Sequence, residues 1–360
     1  MILILLLGFR FRLSEKKKSY IVLAGIYMTY LLLQALALSV FDLSLVFTEL
    51  FILVGVLISL YTKDETWHYA LYAIVYPVLF FALSYFVTIL ITLLTGYSII
   101  DLTYFAFHIF QPRVIEDFYK INIVFPFSPM MGLGNANIAN IDFGRAIGYM
   151  REPGIYQILV VISFFGLDYI SIKYRKIFKT LVFLSLLITF STTGMVVFIL
   201  SYFYYYYISG DRKFKMNFFY KAISFLIISL GSYFFVFTNE KFGLLAKLTY
   251  ESGLQRLQHY QESIQIFLDN PIIGVGLFNS SVPGSSIFAI LASLGIVGAG
   301  LFFLMVILPI WHLIKRRDRL LVFLIPVLVT AFFSQPLSNM AIFFVILSLV
   351  ISYPTKYKSF

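Results

Sequence analysis

Long apolar runs separated by short polar connections make up most of the 360-residue chain. About 20 apolar residues are enough for a helix to cross the hydrocarbon core of a bilayer. The pattern therefore predicts an all-α polytopic integral membrane protein with about 10–11 transmembrane helices, in which residues 1–360 form a single membrane domain. The first run is too short to cross alone. The runs lie at residues 1–9, 19–40, 44–62, 68–95, 154–171, 178–193, 194–208, 217–238, 285–311, 320–336 and 337–353.

The basic residues are distributed unequally between alternate connections. Most of the 27 lysines and arginines cluster at every second junction between apolar runs. Because cytoplasmic loops carry an excess of Lys and Arg, these junctions are predicted to face the cytoplasm. The two long connections, residues 96–153 and 239–284, then both lie outside it. We expect a multi-pass protein of the cytoplasmic membrane that works on the extracytoplasmic face.

Composition excludes several classes of protein. The chain is 61% hydrophobic and only 12% charged, unlike a soluble domain or a disordered chain. Its net charge of +10 is explained by the cytoplasmic junctions, so we expect no nucleic-acid partner. The absence of cysteine excludes thiol catalysis and disulfides. The four histidines are not spaced as a zinc site, and there is no phosphate-binding GxxxxGK[ST] loop, so we expect neither a metal nor a cofactor.

The first long loop ends in a charged segment just before an apolar run. Pro153 suits the first turn of a helix, and Glu152 before it suits the positive end of the helix dipole. One interpretation is therefore a helix start with a capping acid. The other is that Arg145, Arg151 and Glu152 face a cavity at the membrane surface, where two guanidinium groups can bind a diphosphate in a bidentate way.

The second long loop contains a predicted amphipathic helix. Arg256, His259, Glu262 and Ser263 recur three or four residues apart on its more polar face. Such a helix lies on the bilayer surface or over the helix bundle. A solvated polar face is the simpler interpretation of these four residues. The apolar positions with helical spacing are Leu254, Leu257, Ile264, Phe267 and Leu268.

Two glycine-containing segments are predicted to form turns, one after the amphipathic helix and one between two apolar runs. Gly274 and Gly276 lack the third glycine of a dinucleotide-binding loop, so they are expected to permit a tight turn, whose N–H groups can also bind an anion. Asn279 follows this turn. The segment Ser191-Thr-Thr-Gly194 is expected to cap helix ends, with contact to a sugar as the alternative.

These segments together resemble a known family. The motif Arg145-x-x-Gly148-x-x-x-Glu152-Pro153-Gly154 resembles a pattern of the bacterial Wzy-type polymerases of O-antigen and capsule repeat units. The second loop is similar to the matching loop of the wider O-antigen ligase/polymerase superfamily, and the order of motifs agrees over roughly residues 140–300. The motifs in that loop are Arg256-Leu, Asp269-Asn-Pro271-Ile-Ile-Gly274-Val-Gly276 and Asn279, and Leu294-Gly295-Ile-Val-Gly298 matches the glycine pair in the span after the loop.

The resemblance implies a membrane-embedded glycosyltransferase of the GT-C type that uses no metal. Its donor and acceptor would both be oligosaccharides linked to undecaprenyl diphosphate in the bacterial cytoplasmic membrane. Arg256, Arg151 and Arg145 are then the candidates to stabilise the leaving diphosphate, with Gly274, Gly276 and Asn279 as further substrate-binding residues. Glu152 and His259 are the candidate bases. Membrane lipid and a chain-length regulator are further candidate partners.

Two alternatives remain open at this point. O-antigen ligases of the superfamily carry a histidine where this chain has Gly284; Ser285 fits the position after it, but the absence of the histidine argues against a ligase. A lipid-linked oligosaccharide flippase would carry charge within its spans and short loops on both faces, unlike this chain. The apolar stretch from Tyr97 to Phe110 inside the first loop is a candidate for a re-entrant or interfacial helix.

Overall fold

A computed structural model describes most of the chain. It covers residues 14–39, 43–62, 64–108, 120–138, 141–150, 152–208, 251–277, 279, 281–283, 286–334 and 340–353. The described residues up to Trp67, together with those from Tyr202 onward, form one compact unit, and His68–Ser201 form a second. The predicted spans at 1–9 and 217–238 lie outside the described residues.

Most of the described residues are helical. Within the described ranges, three helices are long and apolar enough to cross a membrane, over Glu15–Leu38, Trp67–Thr95 and Ile287–Trp311, while the count of 10–11 spans stays a prediction. The helices are α1 Glu15–Leu38, α2 Leu43–Tyr61, α3 Asp64–Thr95, α4 Pro153–Gly166, α5 Arg175–Ile188, α6 Thr192–Phe203, α7 Glu251–Asp269, α8 Ile287–Arg316, α9 Leu324–Phe333 and α10 Ala341–Ser352. A π-helical turn covers Tyr204–Ile208, and a 3-10 helical turn covers Arg319–Phe323.

In the unit that contains α1, large side chains pack helices that are distant in the sequence. α1 packs against α8, and α2 packs against α10. The rings of Tyr27 and Phe302 lie 5.8 Å apart, centre to centre, and both side chains are buried. At one end of this unit, Lys16 Nζ donates to the Tyr353 carbonyl at 2.7 Å. The core therefore joins the first two described helices to α8 and α10.

α8 is interrupted at Gly295. This residue has φ 63° and ψ −177°, an extended conformation with positive φ that favours glycine, inside an otherwise helical segment. The interruption frees helical carbonyl and N–H groups that would be costly to leave unpaired. Residues of the preceding loop pair with them: Val275 N donates to Ala292 O at 3.0 Å, and Gly276 N donates to Ser293 O at 2.9 Å. The loop thus completes the backbone hydrogen bonding of the broken helix.

The all-α expectation is wrong in the first long loop. Residues there form a four-stranded antiparallel meander, β1 Thr103–His108, β2 Lys120–Val124, β3 Ser128–Ile138 and β4 Ile141–Ala146, in spatial order β1-β2-β3-β4. Within the candidate interfacial helix at Tyr97–Phe110, Thr103–His108 form β1 instead, and Ile109 and Phe110 lie outside the described residues. Aromatic and β-branched residues favour strands, and pairing with β2 satisfies the backbone groups that a helix would have paired internally.

Hydroxyl groups attach this sheet to α3. The turn between β2 and β3 packs on the helix, where Thr88 Oγ1 donates to the Phe125 carbonyl at 2.6 Å and lies 2.7 Å from Ser128 Oγ. Ser84 Oγ lies 2.9 Å from Ser128 Oγ and accepts from Phe127 N at 3.0 Å. All three hydroxyl-bearing side chains are buried. A small polar cluster therefore holds the sheet in place, while Ile121, Met131 and Ile147 form its apolar core.

Candidate functional site

The Arg145–Gly154 motif folds as a strand end, a turn and a helix start. Arg145 lies near the end of β4, opposite Met131 of β3. The chain then turns at Gly148, whose φ of 54° favours glycine and whose missing side chain leaves room for the Tyr156 ring. Gly148 N donates to the Tyr85 hydroxyl at 2.9 Å. The motif glycine is therefore required by the turn that carries the chain from β4 into α4.

Arg145 reaches the connection between α5 and α6. Its Nε–H donates to the Thr189 carbonyl at 3.2 Å, and its side chain is half-buried. In the same connection, Ser191 Oγ accepts from Gly194 N at 3.3 Å, which is the capping interaction predicted for Ser191-Thr-Thr-Gly194. The first-loop arginine and the small-residue turn are thus neighbours within one unit.

Glu152 occupies the N-cap position of α4, with Pro153 in the first turn as predicted. Its side chain forms no capping hydrogen bond; only its carbonyl is used, accepting from Ile155 N and Tyr156 N at 3.1 Å each. The carboxylate therefore sits at a helix N-terminus without serving as the cap. Arg151, next to it, lies outside the described residues.

Tyr149 adds a hydrogen-bond donor to this segment. Partial burial raises the pKa of Tyr149 to about 12, so its phenol stays protonated at neutral pH. Its ring lies 5.9 Å from the ring of Phe81, centre to centre. Tyr149 can therefore donate a hydrogen bond to a ligand oxygen but cannot act as a base at neutral pH.

Gln157 was not predicted from the sequence. Its side chain is fully buried one turn into α4, and neither its Oε1 nor its Nε2 is hydrogen-bonded within the described part of the chain. It packs directly on Gly194, where a Cβ would overlap the carboxamide. The only sequence signal was a single amide residue inside an otherwise apolar run.

In the other unit, α7 covers the segment in which an amphipathic helix was predicted. His259 is half-buried, and Ser263, one turn later, is fully buried and donates to the Pro283 carbonyl at 3.2 Å. Glu262 does not pair with His259 but accepts from Gln258 Nε2 at 2.7 Å. Arg256 belongs to α7, one turn before His259, and its side chain lies outside the described residues.

The glycine-containing turn after α7 is built into α8. Gly274 N donates to Asn270 O at 3.1 Å, while the next two N–H groups pair with α8. These N–H groups are therefore engaged within the chain rather than directed at a ligand. The Asn279 side chain is likewise hydrogen-bonded within the loop: its Nδ2 donates to Val275 O at 3.1 Å, and its Oδ1 accepts from Ser281 N at 3.0 Å.

Two side chains of α1 that the sequence analysis did not select complete this arrangement. Gln34 Nε2 donates to the carbonyl of Ser293 at 2.8 Å and to that of Ile273. The Tyr30 hydroxyl lies 3.1 Å from Ile273 O and 2.5 Å from Leu294 O. A polar residue four positions after a tyrosine in an apolar run was the available signal. Both side chains bind carbonyls on the two sides of this contact, those of Ser293 and Leu294 at the break in α8 and that of Ile273 in the loop.

The predicted site residues thus fall into two groups. Arg145 and Glu152 belong to the His68–Ser201 unit, whereas His259, Gly274, Gly276 and Asn279 belong to the other. Across the residues that the structure describes, no group of three or more His, Asp and Glu side chains is placed to hold a metal ion. In comparisons with known proteins, no protein-family model, no curated protein and no solved structure matches this chain.

Proposed function

We propose that this protein is a polysaccharide polymerase of the Wzy type, a multi-pass enzyme of the bacterial cytoplasmic membrane. It joins oligosaccharide repeat units linked to undecaprenyl diphosphate into O-antigen, capsule or exopolysaccharide on the extracytoplasmic face. One observation supports it above the others. In the Arg145–Gly154 motif, on which the family resemblance depends, the Arg145 guanidinium binds the Thr189 carbonyl just before the Ser191–Gly194 turn. The same motif places the Glu152 carboxylate, which makes no capping hydrogen bond, at the start of an apolar helix.

The proposed reaction is a glycosyl transfer between two lipid-linked sugars. A hydroxyl of the acceptor repeat unit attacks the anomeric carbon of the growing chain, so that a new carbon–oxygen bond forms. The bond between that carbon and the diphosphate oxygen breaks, and undecaprenyl diphosphate leaves with the electron pair. The hydroxyl proton passes to a base. Positive charge near the departing diphosphate and a base near the hydroxyl both lower the barrier.

The chain offers residues for both tasks. Arg145, Arg151 and Arg256 are proposed to stabilise the negative charge that develops on the diphosphate, because guanidinium groups pair with phosphate oxygens in a bidentate manner. Glu152 and His259 are the candidate bases, and Glu152 is supported by the lack of a capping bond to its carboxylate. Gly274, Gly276 and Asn279 are proposed to contribute by shaping the second loop, since their polar backbone or side-chain groups already pair within it.

Deletion of the gene, followed by electrophoresis of the surface glycan, tests the proposal. A polymerase deletion collapses the glycan ladder to a single repeat unit on its final anchor. Single units that accumulate on the lipid carrier inside the cell indicate a flippase instead. Long chains that accumulate on the lipid carrier without reaching their anchor indicate a ligase. Purified protein in vesicles with lipid-linked repeat units then separates direct polymerisation from an indirect effect.

A further inference from the structure

The β2–β3 turn ends in exposed aromatic rings. Phe125 and Phe127 flank Pro126 in this turn, and Tyr104 lies beside it on β1; these three rings are called the aromatic end of the sheet. Their side chains are 51%, 57% and 55% exposed, respectively. Large aromatic side chains left uncovered in a group mark a contact surface for a partner or a lipid.

The backbone of this turn is already paired within the chain. Phe125 N donates to Leu102 O at 3.0 Å, and the Phe125 carbonyl accepts from Thr88. The Pro126 carbonyl accepts from the Tyr104 hydroxyl at 3.1 Å, and Phe127 N donates to Ser84. Turns in water usually leave such groups to the solvent. A turn with these groups paired meets the main requirement for contact with lipid, where unpaired backbone groups cost several kcal/mol.

The aromatic end also continues the apolar surface of α3. The Phe127 ring lies 6.1 Å from the ring of Phe80, centre to centre, and Phe80 is itself half exposed. Further exposed apolar side chains follow on the same helix, at Leu83, Phe86, Leu90, Leu93 and Leu94. This helix includes one of the three segments that are long and apolar enough to cross a bilayer. Contact with the acyl chains of the bilayer therefore accounts for the exposure of both parts of this apolar surface.

The length of α3 indicates how deep in the bilayer the β2–β3 turn is attached to it. Its apolar segment Trp67–Thr95 has 29 residues, which corresponds to about 43 Å at roughly 1.5 Å per residue. The hydrocarbon core is only about 30 Å thick. Ser84 and Thr88, which hold the turn, therefore lie at or inside the hydrocarbon boundary whichever end of the segment is placed at the edge of the hydrocarbon core.

We propose that the aromatic end of the sheet is a lipid-binding surface. Phe125 and Phe127 contact acyl chains at the headgroup boundary of the leaflet that contains the C-terminal part of α3, and the rest of the sheet stands above that leaflet. The occupant is bilayer lipid, not a second protein. The inference goes beyond the proposed function, since it holds for any activity of the chain.

Site-directed spin labelling tests this directly, because the chain has no cysteine. Single-cysteine variants F127C, L83C and K173C are labelled with a nitroxide and reconstituted in vesicles. L83C reports an exposed position of α3, and K173C reports an exposed position of the α4–α5 connection. We expect the F127C label to collide with oxygen more than with a water-soluble nickel chelate, as at L83C. Preference for the nickel chelate, as at K173C, overturns the proposal.

The other outcome also decides the question. A label at F127C that is shielded from both oxygen and the nickel chelate indicates a protein partner or a second copy and overturns the lipid assignment. Because cysteine at this position removes a ring, the conservative variant F127W provides a second measurement. Its additional fluorescence, relative to the native protein with two tryptophans, should be quenched by lipids brominated on their acyl chains. Absence of quenching contradicts the proposal even if the cysteine variant fails to fold.

Discussion

Gly274 and Gly295 approach each other backbone to backbone. A Cβ on Gly274 would overlap the Ser293 carbonyl and the Gly295 nitrogen, and a Cβ on Gly295 would overlap the Ile272 carbonyl and the Gly274 nitrogen. Both residues also have positive φ angles, 69° and 63°. The two glycines therefore form one contact, in which the loop after α7 enters the break in α8.

Alanine at either glycine is expected to destabilise the protein. The left-handed backbone alone costs about 1–2 kcal/mol for a residue with a side chain, and the overlap with main-chain atoms adds to this cost because neither segment can retreat freely. G300A is the matched control, because a Cβ at Gly300 of the same helix meets no atom within 4 Å. Thermal unfolding in detergent measures the difference. A G295A protein as stable as G300A would show that the break is absent.

Replacement of Gln34 by leucine is expected to destabilise the same region. Q34L removes the hydrogen bonds that the Gln34 amide donates to the Ser293 and Ile273 carbonyls. Each carbonyl keeps a second donor, Gly276 N and the Tyr30 hydroxyl respectively, so each lost bond costs about 0.5–1.5 kcal/mol. The control is Q265L, in which an exposed amide loses only its bond to Asp269 on the surface of α7. Chemical unfolding followed by fluorescence should rank Q34L well below Q265L.

Loss of Arg145 is expected to abolish long chains while the protein remains in the membrane. R175A is the matched control, because Arg175 also donates to a backbone carbonyl, that of Ile170, in a different connection. If Arg145 acts on the diphosphate, R145A shortens the glycan ladder and R175A does not. R256A should behave as R145A does. Normal long chains in R256A would remove Arg256 from the site.

Replacement of Gln157 by leucine is expected to stabilise the protein. Leucine has a similar size and removes two buried polar atoms that lack hydrogen bonds, a gain of about 1–3 kcal/mol. Q157E keeps the shape and adds a buried charge, so it should be markedly less stable than the native protein. Unfolding curves of the three proteins provide the measurement. A stabilised Q157L that has also lost polymerisation would indicate that the carboxamide contacts substrate.

The turn after α3 is expected to loosen at acidic pH. Hydrogen bonds from the Ser98 hydroxyl and N–H hold the pKa of Asp101 below its ordinary value of 3.8. A lowered pKa means that the stabilisation is fully present above 3.8 and is lost as the pH falls through the lower folded value. The protection of the Ser98 amide, measured as its hydrogen-exchange rate relative to the intrinsic rate at the same pH, should therefore fall at low pH. The D101N variant, which has no carboxylate to protonate, should lack this added dependence.

The sequence was sufficient for the helices and insufficient for the sheet. Apolar runs of bilayer length have few alternatives to helix, which is why the segment around Leu83 is helical as predicted. Strands of the first loop carry no comparable signal, because β1 is held by pairing with residues far from it, such as Val124. Its aromatic residues fit an interfacial helix equally well. Only the tertiary context selected the strand.

The candidate site divides in the same way. The Ser191–Gly194 turn follows local rules for capping, so its role could be predicted, whereas Gly148 was selected only as a position of the family motif. Tyr30 and Gln34 act on carbonyls more than 200 residues away in the chain, as their contacts with Ile273 show. Their role depends on the break at Gly295, which a glycine pair in an apolar helix indicates only as close packing.

The break in α8 couples the second loop to the interior of the helix bundle mechanically. α7 ends at Asp269, and the Pro271 carbonyl already accepts from Ile296 N at 2.8 Å. Only Asn270 separates the end of α7 from the first loop residue that is hydrogen-bonded to α8. A ligand that tilts α7 would pull directly on the gap at Gly295, and through it on Tyr30 and Gln34 of α1. The loop after α7 is therefore connected to the first described helix, α1, through backbone and side-chain hydrogen bonds.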